Sequence, residues 1–471
     1  MRSAGIRRRR GLLCQICLFL ILWIALTPFA SLAADWPTTE LTAQAGIVMD
    51  VDTGAVLFEK NMDARMYPAS ITKVMTALVV LENCDLDDKV TFSHDAVYNV
   101  DTGSSNAQIE EGDVLSVSDC LYALLLKSAN EAANALAEHV AGSREAFADM
   151  MNQEAAKLGC TGTHFANPSG LFDTNHYTTA HDMALIGAAA MNNKKFLEIE
   201  DCTSHKLAAT KRVPEGNTVY MEHKMLLRGS PYYDERVIAG KTGYTKDAGN
   251  TLITMAKSDG RRLVSVVLAD KNPYHYIDTK ALLDLGFNQT ENQPVKDGIY
   301  DKDAIAARLI ADTIVSDNCK AADLRVEKKM YVSLPKGSSQ DGISYRLQYN
   351  LEGSAPADAV ARIDYYLDDA VIGKYYIQKE PSISVILRDI PTGTKVAVAA
   401  TISTFTALMI FGFAVFGGGT LLGIKNIHDD RKLSRRMKEK RAQRLKDMQM
   451  TEEEFRELVE KKKQQKSRKK T

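Results

Sequence analysis

About 29 consecutive residues, Val396 to Ile424 ("VAVAATISTFTALMIFGFAVFGGGTLLGI"), carry no charge. That run is too long for an ordinary core helix and long enough to cross a bilayer with some tilt. Lys395 precedes it, and "KNIHDDRKLSRRMKEKRAQRLK" follows it. The positive-inside bias then places residues 425–471 in the cytoplasm. This tail holds 18 Lys/Arg against nine Asp/Glu, so the overall net charge of −1 hides a basic tail and an acidic remainder. A nucleic-acid partner for the whole chain is not expected from that distribution. The tail's basic residues suit contact with anionic membrane lipid instead.

The other end carries a second membrane signal. "MRSAGIRRRRGLLCQICLFLILWIALTPFASLAADWP" has a basic start, an apolar run from Gly11 to Leu26, then Pro28. Ser31-Leu32-Ala33 fits an A-x-A-like cleavage site, so residues 1–34 read as a signal peptide; an uncleaved anchor helix is the alternative. Either way the part that follows is exported. The expected topology is a large outer part, one span at 396–424 and an inner tail at 425–471.

The length of 471 residues suits two domains plus these appendages. "AGIVMDVDTGAVLFEKN" alternates apolar and polar residues around Asp52-Thr53-Gly54, which predicts a hairpin. Pro68 to Leu81 reads as a helix. "SVSDCLYALLLKSANEAANALAEHV" reads as a second helical stretch broken near Ser128. "VIAGKTGYTKDAGNTLITMAKSDGRRLVSVVLAD" reads as strands with a turn at Ser258-Asp259-Gly260. Strand, helices, then strands predicts an α+β domain, over 35–290, whose sheet draws on both chain ends. Short alternating stretches from about Lys328 to Arg388 predict a small all-β domain, bounded at 300–392.

Of seven cysteines, five follow the leader: Cys84, Cys120, Cys160, Cys202 and Cys319. Their scatter does not resemble a disulfide framework. No HExxH or paired C-x-x-C pattern is present, so neither a metal nor another cofactor is expected.

Three short motifs carry the chemistry. The first is Ser70-x-x-Lys73. A hydroxyl is a poor nucleophile until a base takes its proton. On a helix, positions i and i+3 share a face, which puts the amine beside the hydroxyl. Lys73 must be neutral to act as that base, which requires desolvation or a nearby cation. Ser333–Lys336 and Ser467–Lys470 also match the pattern, but only Ser70 stands at a helix start with an apolar face.

The second is Ser128-Ala129-Asn130, where a hydroxyl can relay a proton to a leaving amine and an amide can hold a carbonyl. Ser104–Asn106 and Ser316–Asn318 are decoys for it. The third is Lys241-Thr242-Gly243, at the start of a predicted strand. A cation, a hydroxyl and strand-edge N–H groups suit a peptide with a terminal carboxylate, and Gly243 lets its backbone approach.

In this order the three motifs resemble the set shared by class A β-lactamases and penicillin-binding proteins. Over roughly Leu41 to Asn288 the chain is similar to the serine D-alanyl-D-alanine carboxypeptidases, the low-molecular-mass penicillin-binding proteins. The resemblance implies a transpeptidase-like fold, an antiparallel sheet with helices plus an all-helical part. It implies a hydrolase acting on peptidoglycan stem peptides that end in D-Ala-D-Ala, with β-lactams as covalent inhibitors.

Ser70 would attack and be acylated, Lys73 would take its proton, and Ser128 would pass a proton to the departing D-alanine. Asn130 would orient the substrate amide, and Lys241 and Thr242 would hold the carboxylate. The N–H groups of Ser70 and Tyr244 would form the oxyanion hole. Lys271 stands where the family often has an arginine. "NPSGLFD", Asn167 to Asp173, matches a family loop near the site or is a plain Asn-Pro turn. A β-lactamase and a non-enzymatic drug sensor are the competing readings; the loop offers Asp173 but no glutamate for fast drug hydrolysis.

Overall fold

Strict alternation in the first hairpin already sorts side chains to two faces. Ile47 and Met49 enter one apolar core, while Val48 between them enters another. A strand buried on both faces needs cover on both, and the helices supply it. The computed structural model describes residues 35–379, except 297, 313, 316–319, 321–322, 327–328, 352–354 and 357.

The expected hairpin forms from β1 (Ala45–Asp50) and β2 (Val56–Lys60), turning at Gly54 with φ +68°. Three later strands complete an antiparallel sheet: β3 (Val237–Thr245), β4 (Gly249–Ser258) and β5 (Arg261–Asp270). The order is β2-β1-β5-β4-β3, so the two chain ends of the domain meet at β1–β5 and β3 is left on an edge. The predicted turn at Asp259-Gly260 joins β4 and β5, and both residues take left-handed backbone angles.

One face of the sheet packs on the larger core. That core is built with α1 (Lys73–Asn83), α2 (Val117–Leu126), α3 (Asn130–Ala141), α4 (Arg144–Lys157), α5 (Ala180–Asn192) and α6 (Lys194–Glu200). The other face is covered by α7 (Tyr274–Asp284), through Tyr276, Leu282 and Leu283. The fold is therefore an antiparallel sheet with a helical layer, as expected.

Two details differ from the sequence reading. The Pro68–Leu81 stretch does not start as an α-helix: Ala69–Thr72 is a 3₁₀ turn and the α-helix begins at Lys73. Ala69 there has φ +51°, a left-handed angle that a regular helix start does not use.

The second region is also mixed rather than all-β. Thr290–Pro294 pairs with Tyr331–Pro335. Leu324–Arg325, Ala370–Lys379, Ala359–Leu367 and Ser344–Gln348 form a four-stranded sheet. Its core also takes Ile305 and Leu309 from α8 (Lys302–Ala311). The strand-focused reading missed this helix because it started at about Lys328, after the mostly apolar stretch that forms it.

The region is bonded to the first hairpin: Thr53 Oγ1 lies 2.7 Å from Ser333 Oγ and the Lys374 N–H donates to the Thr53 carbonyl at 2.9 Å. Ser333 is thus a buried structural hydroxyl, which removes the Ser333–Lys336 decoy. The leader, the apolar run 396–424, the tail, Cys319 and the decoys at Ser316 and Ser467 lie outside the described residues. Among the described residues no helix is long and apolar enough to cross a membrane.

Candidate active site

Edge strand β3 runs beside the 3₁₀ turn that carries Ser70, and that contact builds the site. A Cβ at Gly243 would lie 2.9 Å from the Ser70 nitrogen, 3.1 Å from the Ile71 nitrogen and 2.4 Å from Thr251 Oγ1. Only glycine lets strand and turn approach this closely. Thr251 on β4 anchors the turn by donating to the Pro68 carbonyl at 2.7 Å.

The Ser70–Lys73 spacing places the amine on the hydroxyl. Lys73 Nζ lies 2.9 Å from Ser70 Oγ and donates to Asn130 Oδ1 at 2.7 Å and to the Ser169 carbonyl at 2.6 Å, so that as a neutral amine it spends both N–H groups on those two acceptors and turns its lone pair to the hydroxyl. Lys73 is wholly buried. Burial, and then the charge of Lys241, hold its pKa well below the ordinary lysine range. The pull of Glu131 and Glu222 opposes this without cancelling it. The arrangement gives the hydroxyl an amine neighbour that gives up its proton more readily than an ordinary lysine.

Ser128 and Asn130 arrive through the break between α2 and α3. Ser128 has φ +63°, an angle uncommon outside glycine and characteristic of functional turns. The break lets Asn130 become the first residue of α3, with its N–H bonded to the Ser105 carbonyl at 3.0 Å. The decoy Ser104–Asn106 is therefore the loop that props the true motif, and Ser104 and Ser105 line the same cavity.

Lys241 is 2% exposed, and its Nζ donates to the Thr242 carbonyl at 3.0 Å. Burial lowers its pKa to about 8 despite the nearby Glu222 and Glu200 carboxylates. The Gly240 N–H points off the sheet to Glu200 Oε2 at 3.0 Å. Along a strand, alternate N–H groups share a direction, so those of Thr242 and Tyr244 also leave the free edge of β3.

A cavity of about 440 Å³ gathers these parts. Its wall includes Ser70, Ser128, Asn130, Thr242, Gly243 and Tyr244, with Lys73 and Lys241 buried behind it. All three motifs thus converge on one cleft. Lys271 does not join them: its side chain is exposed beyond β5, and the wall takes Asn272 and His275 instead.

Sequence reasoning noted the Asn167–Asp173 loop but not that it frames Lys73. Asn167 Oδ1 accepts from the Ser169 N–H, Ser169 Oγ and the Gly170 N–H. This turn delivers the Ser169 carbonyl to Lys73, and Gly170 (φ +81°) has no room for a Cβ against the Ala69 carbonyl. His176 takes the Ala166 N–H on Nδ1 at 3.1 Å, so its Nε2–H donates to Thr72 Oγ1 at 2.8 Å. Burial keeps His176 neutral, with a pKa near 3. Asn-Pro-Ser-Gly, with its turn chemistry, was the one available signal for this loop. Glu200 was missed too. It is fully buried beside Lys241, with one oxygen unpartnered among the described residues, and burial raises its pKa to about 7.

Comparison with known proteins agrees with this geometry. The sequence model of a family described as "D-alanyl-D-alanine carboxypeptidase" matches residues 31–272. D-alanyl-D-alanine carboxypeptidase DacF of Bacillus subtilis is 29% identical over 330 residues, spanning 68% of this chain and 80% of that protein. DacD of Escherichia coli, with the same description, is 30% identical over 339 residues, spanning 69% of this chain and 81% of that protein. The structure is similar to penicillin binding protein 5 from Haemophilus influenzae. The TM-score is 0.55 at 26% identity, covering 73% of this chain and 98% of that one.

Proposed function

The chain belongs to the D-alanyl-D-alanine carboxypeptidase family, and from that premise we propose how its residues perform the reaction. It is a serine-type D,D-carboxypeptidase that removes the terminal D-alanine of peptidoglycan stem peptides and is acylated by β-lactams. The observation that carries this reading is the 2.9 Å bond between the buried amine of Lys73 and Ser70 Oγ.

Neutral Lys73 takes the Ser70 Oγ–H proton as Oγ attacks the carbonyl of the penultimate D-alanine. The negative oxygen that forms is met by the Ser70 and Tyr244 N–H groups, whose worth is high in a site shielded from water. Asn130 fixes the substrate amide. Cationic Lys241, with Thr242, holds the terminal carboxylate. The C–N bond then breaks as Ser128 passes a proton, drawn from the Lys73 ammonium, to the leaving nitrogen of D-alanine. A water molecule attacks the ester, Lys73 takes its proton, and the shortened peptide leaves with Ser70 restored.

Residues 1–34 act as the export leader, 35–290 as the catalytic domain and 300–392 as a β-rich spacer. Residues 396–424 span the membrane once, and 425–471 form a basic cytoplasmic tail near anionic lipid. The catalytic domain then works outside the cell membrane. Support for this layout is the uncharged run and the flanking basic residues.

The test is to incubate the full chain with a peptide ending in D-Ala-D-Ala, measuring released D-alanine and the lifetime of a penicillin adduct. Turnover of peptide with a persistent adduct is expected, and Ser70→Ala should lose both. Fast penicillin turnover, or D-alanine release surviving in Ser70→Ala, rejects the reading.

A further inference from the structure

The two helices that begin at the catalytic residues also end together. α1 starts with Lys73 and ends beside Cys84; α3 starts with Asn130 and carries His139 in its last turn. At that far end Cys84 Sγ, an Asp88 carboxylate oxygen and a His139 ring nitrogen all lie within 4.8 Å of one another. We infer that Cys84, Asp88 and His139 form a divalent zinc site that clips the C-terminal ends of α1 and α3 together.

The donor set fits that ion. Thiolate, imidazole and carboxylate are the three ligand types zinc uses, and three protein ligands plus water complete a tetrahedron. A thiolate and a carboxylate balance the two charges of the ion, while the softness of sulfur selects against magnesium and calcium.

The ligands are also held in place before any ion arrives. Cys84 caps α1, its N–H bonded to the Val80 carbonyl at 3.0 Å. Asp88 sits in a turn fixed by its own N–H to the Asp85 carbonyl at 3.2 Å and by the Val117 N–H on its carbonyl at 2.9 Å. The His139 ring makes no hydrogen bond or ion pair with any other described residue, so it is available. Glu82, Asp85 and Asp87 surround the thiol in sequence and add negative potential.

No zinc motif is legible in the sequence because the ligands come from a helix end, a turn and a helix 51 residues later. Binding displaces the Cys84 thiol proton to solvent and forms three protein–metal bonds, with no redox step. The site is independent of the catalytic reading.

The experiment uses the full-length chain, reduced and stripped of metal. Zinc is titrated against a chromophoric chelator, and cobalt(II) is added as a spectroscopic probe. One zinc per chain is expected, with a thiolate-to-cobalt charge-transfer band. Cys84→Ser and His139→Ala should each lose the band and weaken zinc by about tenfold or more, while Cys202→Ser keeps both. Penicillin labelling of Ser70 in every variant reports that it is folded, and His139→Ala, an exposed change, guards against loss of fold in Cys84→Ser. Absence of the band in the parent chain, its survival in both variants, or Cys84 found in a disulfide overturns the inference.

Discussion

Gly243→Ala tests whether strand β3 sets the position of the nucleophile. The added methyl would lie 2.4 Å from Thr251 Oγ1, 2.9 Å from the Ser70 nitrogen and 3.1 Å from the Ile71 nitrogen. Ordinary contact begins at 3.4 Å, so the Ser70 turn must retreat by about half an ångström. Thr251 cannot yield freely, because its hydroxyl holds the Pro68 carbonyl. Turning it away sacrifices a bond worth about 1 kcal/mol. Overpacking of this kind costs about 1–3 kcal/mol of stability. The larger effect is on chemistry: a nucleophile displaced by a fraction of an ångström from its base and oxyanion donors loses about 10- to 100-fold in rate. The assay is the second-order rate of acylation by a fluorescent penicillin, beside D-alanine release and a melting curve. Gly229→Ala, where an added Cβ meets nothing within 4 Å, is the control and should match the parent. Acylation of a folded Gly243→Ala chain within twofold of the parent would refute the packing argument.

Three further outcomes follow from the buried charges and the loop. KM for a D-Ala-D-Ala peptide should be lowest below pH 8 and rise above it. Burial brings Lys241 to a pKa of about 8, and only its cation holds the carboxylate; a pH series of KM checks this. Glu200→Gln should move that alkaline rise to lower pH, since the Glu200 charge supports the Lys241 proton. It should also remove a stability slope. Burial raises the Glu200 pKa to about 7, so the parent loses stability as pH climbs from the usual carboxylate range through 7, and melting curves at pH 5 and 8 show whether glutamine abolishes the trend. Asn167→Ala removes the acceptor of three bonds that form the Ser169 turn, at a cost of about 1–3 kcal/mol, read by denaturant melts. Acylation should fall about tenfold as Lys73 loses the Ser169 carbonyl.

The parts of the fold with a period were legible. The first hairpin, the α2–α3 break at Ser128 and the β4–β5 turn follow from alternation, helical spacing and turn residues. The three motifs were legible because each keeps its chemistry within four residues. What escaped was set by tertiary contact. The 3₁₀ start at Ala69 exists because β3, Thr251 and Gly170 crowd that turn, and no local propensity encodes it. Glu200 reads as a surface residue in "LEIED" yet is buried under β3. Lys271 stands in the sequence where the family often has an arginine, but its side chain is exposed and takes no part in the cavity wall. α8 went unread because the expected strands began only at about Lys328, beyond its mostly apolar sequence.

The central claim is that Lys73 carries no charge when the active site is ready to react. Full-length chain with isotope-labelled lysine side chains, titrated by NMR and assigned with Lys73→Arg, measures this directly. The account predicts that Lys73 titrates well below the exposed lysines of the same sample, and that acylation of Ser70 fades as pH falls through that value. A Lys73 resonance that titrates together with the exposed lysines would contradict it.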